Sequence, residues 1–302
     1  LVELRNLEAA MRGLIAVLGL LAGACASAPR DGVVADAPLR IASWNLEHLA
    51  EANDSGCRPR TDDEYEALRA FAERLDADVI AFQEVESAPA AARVFDPEHY
   101  AVVIEERPGS GAHPACRGME DHFLNRQAVG FAIRRDVAFT RHADVTAIQL
   151  GEPDLRSGVD VSVRLHEGSS IRLLALHLKS GCASGDTGPN CDALRRQAPL
   201  VERWVEERAA AGERFAVLGD FNRRLDGGAD AIWSDWDDGT PDLALAGAGR
   251  TPACDPRYTQ FIDHIIIAGL DAPHAGQFSE WPYEGARLSD HCPISVELSR
   301  TR

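Results

Sequence analysis

Apolar runs bounded by turn residues recur along most of the chain, and their lengths predict strands. The candidates are Leu39–Trp44, Asp78–Phe82, Val129–Arg134, Val159–Leu165, Ile171–His177, Phe215–Gly219, Phe261–Ile267 and Ile294–Leu298. Val159–Leu165 alternates apolar and polar residues, as a half-buried antiparallel strand does. Two stretches switch to helical spacing. Thr61, with Glu64 three residues later, makes a capping box, and Tyr65, Leu68, Phe71, Ala72 and Leu75 then mark one helical face. A second helix is expected from about Asp192 to Arg208, with Leu194, Ala198, Val201 and Val205 on one side. Pro199 interrupts it, so a kink or two short helices is expected there. Many strands with few intervening helices imply an α/β or α+β sandwich, not a bundle.

The N-terminal segment has neither pattern. Met11-Arg12 precedes an apolar run, Leu14 to Leu21, and then the small residues Ala22, Gly23, Ala24 and Cys25. A basic start, a short apolar stretch and a small-residue exit describe a secretory signal, and the run is too short to be a stable bilayer anchor. Glu3 and Glu8 are out of place in such a signal, so translation is expected to begin at Met11. Cys25 resembles the lipidated cysteine of a bacterial lipoprotein box, although Ala22 stands where Leu is usual. Plain secretion with cleavage near Ala26 or Ala28 stays open beside lipidation. The expected organisation is a leader over 1–28, a polar linker over 29–38 and one domain over 39–302. The protein is expected to be exported from a bacterial cytoplasm, as a lipoprotein attached to the membrane through Cys25, or as a periplasmic or secreted protein.

Setting Cys25 aside leaves Cys57, Cys116, Cys182, Cys191, Cys254 and Cys292. An even number in an exported chain reads as disulfides. The expected pairs are Cys57 with Cys116, Cys182 with Cys191, and Cys254 with Cys292. The second is the safest of these, because it closes a short Gly/Asn/Pro loop. The net charge of −17 argues against a basic surface that holds nucleic acid non-specifically. Acids gathered around a divalent cation are compatible with it, provided that a few Arg and Lys supply local attraction for phosphate.

Several strand candidates end in polar residues. Asn45 follows the first and Gln83-Glu84 the second. His177 ends another, Asp220-Phe221-Asn222 follows Phe215–Gly219, and Ser289-Asp290-His291 directly precedes the last. Each has a plain alternative: a turn residue at Asn45, a solvated strand end at Glu84, a satisfied core histidine at His177, a loop cap at Ser289. Together they form a site. Asn45, Glu84 and Asp290 offer hard oxygen ligands that suit Mg²⁺, Mn²⁺ or Ca²⁺. Two histidines can serve as acid and base, and Asp220 with Asn222 can orient water and a phosphate oxygen.

The segments Ile41–Asn45, Phe82–Val85, Leu176–Lys179, Gly219–Asn222, Ile262–Ile265 and Ser289–His291, in this order, resemble the motif series of the endonuclease/exonuclease/phosphatase superfamily. The series spans residues 41 to 291. The resemblance implies an α/β fold: a four-layered α/β/β/α sandwich of two mixed, mostly antiparallel sheets. It implies a metal held by Asn45, Glu84 and Asp290, and Asp263 paired with His291 as a general base or phosphate ligand. Asp220 and Asn222 would activate water, and His177 would contact phosphate or protonate the leaving group. Gln127 stands near where pancreatic-type enzymes have a Glu that supports the histidine, so His177 is expected to be less basic. Glu47 is read as a solvated loop acid rather than a further ligand.

The implied activity is divalent-metal-dependent phosphodiester hydrolysis, with nucleic acid as the expected substrate and no protein partner inferred. A phospholipid headgroup or small phosphate ester, or a silent binding protein on the same fold, are the alternatives. Arg126 and Lys179 are the expected substrate contacts. Arg195, Arg196, Arg223 and Arg224 also lie near motifs, with surface solvation as the alternative. Trp233, Trp236 and Trp281 fall in loop-like sequence and either stack on a ligand or pack under a loop.

Overall fold

The long apolar runs are strands covered on both faces, which is why they read as near-continuous hydrophobic stretches. The computed structural model describes residues 38–166, 169–226, 230–239, 241–269 and 277–299. The leader, Cys25 and the linker as far as residue 37 lie outside them. The first strands are β1 (Leu39–Leu49), β2 (Val79–Val85), β3 (Tyr100–Ile104), β4 (Ala115–Cys116), β5 (Met119–Phe123), β6 (Ala128–Arg134) and β7 (Phe139–Arg141). There follow β8 (Val159–His166), β9 (Ser169–His177), β10 (Phe215–Asp220), β11 (Ala244–Leu245), β12 (Asp263–Ala268), β13 (Phe278–Glu280) and β14 (Ile294–Leu298). The helices are α1 (Asp62–Leu75), α2 (Ala88–Val94), α3 (Pro189–Ala210) and α4 (Ala231–Trp236).

One sheet has the order β13-β14-β1-β2-β6-β3, the other β11-β12-β10-β9-β8-β7, and β4-β5 is a separate hairpin. Each large sheet contains one parallel pair, β1 with β2 and β9 with β10, among antiparallel neighbours. The period-2 alternation of side chains separates three cores. Ile41, Val79, Phe131, Leu173, Leu218 and Ile265 meet between the sheets. Ala42, Trp44, Ile80 and Phe82 face α1 and α2, while Leu174, Leu176, Phe215 and Val217 face α3 and α4. The result is the expected α/β/β/α sandwich. Each fully buried Val, Leu, Ile or Phe contributes roughly 1.5–3 kcal/mol.

Helix α1 has its capping box, Thr61 with Glu64, and buries Tyr65, Leu68, Phe71, Ala72 and Leu75. Helix α3 is one continuous helix, Pro189–Ala210, with Pro199 inside it, rather than two short ones. Pro199 is exposed, as is Arg195 one turn earlier, so the carbonyl left without its N–H partner faces water. Trp233 and Trp236 are buried on α4 rather than in a loop, and Trp281 donates to Ser295 Oγ at 2.8 Å. All three pack within the protein.

Cys57–Cys116, Cys182–Cys191 and Cys254–Cys292 are disulfides. Bonds of this kind persist in oxidising compartments, which points to an extracellular or periplasmic protein. Among the described residues no helix is long and apolar enough to cross a membrane.

Candidate active site

The topology brings the polar strand ends to one rim. Asn45 and Glu84 lie at the carboxyl ends of the parallel pair β1–β2, where Asn45 registers with Gln83. His177 and Asp220 register with each other at the carboxyl ends of β9–β10. β12 runs antiparallel to β10, so its first residue, Asp263, stands opposite Asp220. His291 lies just before β14, antiparallel to β1. A cavity of about 720 Å³ opens on this rim, lined by Glu84, His177, Asp220, Asn222, Asp290 and His291 together with Arg126 and Lys179.

The backbone at this rim is forced into unusual conformations. Glu47, His48, Glu84 and Asn222 have φ of 43°, 53°, 61° and 52°, a region that costs non-glycine residues energy and persists where the surroundings impose it. Gly219 has φ 154°, and a Cβ there would lie 2.1 Å from the Leu176 carbonyl oxygen. Glycine is therefore required where β10 passes β9, one residue before Asp220.

Asp220 is buried at the centre. Its Oδ1 accepts from the Asn222 backbone N–H at 2.8 Å, and its Oδ2 accepts from Asn45 Nδ2 at 3.1 Å. His177 Nε2 and His291 Nε2 face the same carboxylate at 3.5 and 3.8 Å. Burial pushes the Asp220 carboxyl up to about 7, against the pull of His291. His291 Nδ1 lies 2.7 Å from Asp263 Oδ2. Burial opposes the charged imidazole, but Asp263 and Asp220 outweigh it and hold His291 well above the ordinary histidine value. His177 is driven the other way, well below that value, by burial and then by the Arg156 cation.

Arg156 escaped the sequence reading. It is buried, and its Nη2 lies 2.9 Å from Nδ1 and 3.1 Å from Nε2 of His177. The low basicity of His177 therefore comes from burial and Arg156, not from Gln127. The Gln127 amide instead meets His48 Nδ1 at 3.0 Å, and His48 faces Glu84 at 3.5 Å. Arg60 was also missed. It is fully buried and donates to the carbonyls of Leu46, Glu47 and Leu288 at 2.9, 2.9 and 3.1 Å. It thereby clamps the irregular end of β1, after Asn45, to the loop before Asp290. No local pattern marks either arginine, because their partners are distant in sequence.

Arg223 is not a phosphate contact. It is buried and bonds Asp230 at 2.6 Å and the Cys182 carbonyl at 3.2 Å. Arg195 pairs with Asp192 and Arg196 with Glu152 on the surface. Arg126 donates to the Glu105 carbonyl at 2.8 Å on the cavity wall, and the Lys179 backbone N–H donates to buried Gln197 at 2.9 Å.

Hard oxygen donors of the kind a divalent cation takes line the same rim. Burial would raise the Glu84 carboxyl, yet His48, Arg156 and the Asn45 amide together lower it, so it is anionic. Glu47 is half-buried rather than solvated, and its Oε2 is buried with no hydrogen-bond partner. Burial and the neighbouring Asp290 carboxylate raise its pKa, against the pull of the Arg287 and Arg58 guanidinium groups 3.5 and 3.7 Å from its oxygens. Asp220, Asp263 and His291 also offer ligand atoms within 4.8 Å of one another. His291, bonded to Asp263 and held protonated, has no lone pair to give there, but among the described residues no other group of three acids or histidines lies so close together. Asn45 and Glu84 are in contact at 3.3 Å through the Asn45 amide nitrogen, while the Asn45 Oδ1 accepts from the Glu47 backbone N–H at 3.0 Å.

The model of the Endonuclease/Exonuclease/phosphatase family matches residues 42–291. The chain belongs to this family. Its enzymes are phosphoester hydrolases that use divalent cations. Truncated Caenorhabditis elegans TDP2 shares the fold, at a TM-score of 0.61 and 16% identity over 86% of this chain and 97% of that one. A Bacteroides thetaiotaomicron family protein does so at 0.54 and 16%, over 88% and 98%. D. rerio TDP2, complexed with a single-strand DNA product, does so at 0.56 and 16%, over 87% and 99%. No curated protein matches the sequence.

Proposed function

We propose that the protein is an exported, divalent-metal-dependent phosphodiesterase that hydrolyses DNA or RNA by in-line attack of water on phosphorus. The observation that carries this reading is the buried Asp220 carboxylate facing the Asp263–His291 pair at 3.8 Å, beside an anionic oxygen-ligand set. Asp220, raised to about 7, is matched to accept a proton from water near neutrality. The Asn222 backbone N–H fixes the orientation of that carboxylate.

His291, kept charged by Asp263, donates to a non-bridging phosphate oxygen. His177 is neutral and backed by Arg156, so it serves as a hydrogen-bond partner for phosphate rather than as a ready proton source. Asn45, Glu84 and Asp290, with Glu47, would hold the cation, which supplies positive charge to offset charge developing on the phosphoryl oxygens. Arg126 and Lys179 provide the local attraction that a chain of net charge −17 otherwise lacks. The single-strand DNA product held by the zebrafish neighbour favours nucleic acid over a lipid headgroup. Lipidation at Cys25 would attach the enzyme to a membrane.

The test is a screen of purified protein on plasmid, single-stranded RNA, sphingomyelin and a chromogenic phosphodiester, with Mg²⁺ and with chelator. Cleavage of nucleic acid that needs Mg²⁺ and is lost in Asp220→Ala and His291→Ala is expected. Turnover of sphingomyelin with nucleic acid untouched would favour the headgroup alternative.

A further inference from the structure

Beyond His291 a second cavity opens, of about 440 Å³. It shares Asp290 and His291 with the first, so this pair forms the wall between two spaces. Part of its lining comes from the segment between Pro252 and Phe261. Two anchors hold that segment against the site. Cys254 is bonded to Cys292, the residue after His291. The Glu280 carboxylate accepts from the backbone N–H groups of Ala253 and Cys254 at 2.6 and 3.0 Å.

The cavity offers two chemistries. Tyr258, 48% exposed, and Phe261 present aromatic surface, with the Arg257 guanidinium 5.8 Å from the Tyr258 ring centre. Arg257 is clamped by Asp255 at 3.0 Å, so its charge is already balanced. Arg224 is different. It makes one side-chain hydrogen bond, to Ser184 Oγ at 3.4 Å, and no ion pair with a carboxylate among the described residues. An aromatic face with a cation nearby suits a base and its flanking phosphate.

We infer that the site is built for a polynucleotide strand that runs through it, with the second cavity taking the nucleotide next to the scissile phosphate. Tyr258 stacks on its base and Arg224 meets the following phosphate. The inference rests on the phosphodiesterase reading and narrows it to cleavage of internal bonds. A small ester would use one cavity.

The test compares three substrates with the full chain: bis(nitrophenyl) phosphate, a linear oligonucleotide and a circular single-stranded DNA, which has no ends. The circle is expected to be nicked. Tyr258→Ala is expected to lower the ratio of oligonucleotide to nitrophenyl-ester kcat/KM roughly tenfold, mainly through KM, and Tyr258→Phe to keep it. Arg224→Ala lowers the same ratio and weakens its dependence on salt. An intact circle alongside a hydrolysed ester, or a ratio unmoved by Tyr258→Ala, overturns the running-strand inference and leaves the hydrolase reading standing. Faster turnover of a phosphocholine lipid than of any oligonucleotide overturns it too. No turnover of any phosphodiester removes the reading beneath it.

Discussion

As the proposed base, Asp220 must lose a proton although its burial disfavours the charged form. Its raised value of about 7 means that activity rises as pH increases through that region, because the ionised form accepts the proton. A bound cation favours the carboxylate and moves this limb downward. A profile of kcat/KM against pH shows the rise, and a flat profile between pH 5 and 8 contradicts it. Asp263→Asn removes the carboxylate 2.7 Å from His291. We expect kcat to fall roughly 100-fold or more, with the His291 imidazole titrating closer to an ordinary histidine by NMR. Asp220, Asn222, Asp263 and His291 were legible because each adjoins a strand end in the sequence. Arg156 and Glu47 were not. The partner of Arg156 lies 21 residues away, and nothing local distinguishes an acid buried beside Asp290 from one in solvent.

At the scale of elements, clamps hold the loops that the strands deliver. Arg60 donates to two backbone carbonyls at the end of β1 and to one on the loop before Asp290. Arg60→Met leaves them buried without donors and is expected to cost about 3 kcal/mol or more, read as a lowered urea midpoint together with lost activity. The disulfides close loops of different length. Cys57–Cys116 spans 59 residues and Cys182–Cys191 spans 9. Chain-entropy estimates give about 4 kcal/mol for the first and about 2.5 kcal/mol for the second. The paired substitution of Cys57 and Cys116 by Ala should therefore lower Tm more than that of Cys182 and Cys191. Strands buried on both faces and the capped α1 were readable, because apolar runs and the Thr61–Glu64 pair are local signals. β3, β7 and β11 were missed: they are short edge strands whose pairing, not their composition, defines them. Two short helices stood beside a kink as readings of α3, because the sequence does not tell which side of the helix Pro199 occupies.

For the whole molecule, buried histidines tie stability to pH in opposite senses. His264 is buried, its Nε2 lies 2.8 Å from the Arg223 carbonyl, and burial lowers it below the ordinary 6.5. The unfolded chain takes up a proton there before the folded one does. The stability His264 gives is thus present above about pH 6.5 and lost as pH falls through its lowered value. His177 acts in the same direction. His291 and Asp220, both raised, contribute stability at low pH that is lost as pH rises. The test is therefore a difference: the Tm of His264→Gln relative to the unaltered protein should rise as pH is lowered from 7 to 5.

The layered sandwich places Glu84, the buried Asp220 carboxyl and the His291 imidazole on one rim, and their joint action on a divalent cation and a phosphoryl group is the central claim. Initial rates on bis(nitrophenyl) phosphate across a Mg²⁺ titration, for the unaltered chain and for Glu84→Gln, test it most directly. Saturable dependence on Mg²⁺, abolished by chelator, is expected, with the Glu84→Gln curve displaced to much higher Mg²⁺ or flat. Equal turnover with and without chelator, or superimposable curves for the two proteins, would contradict it.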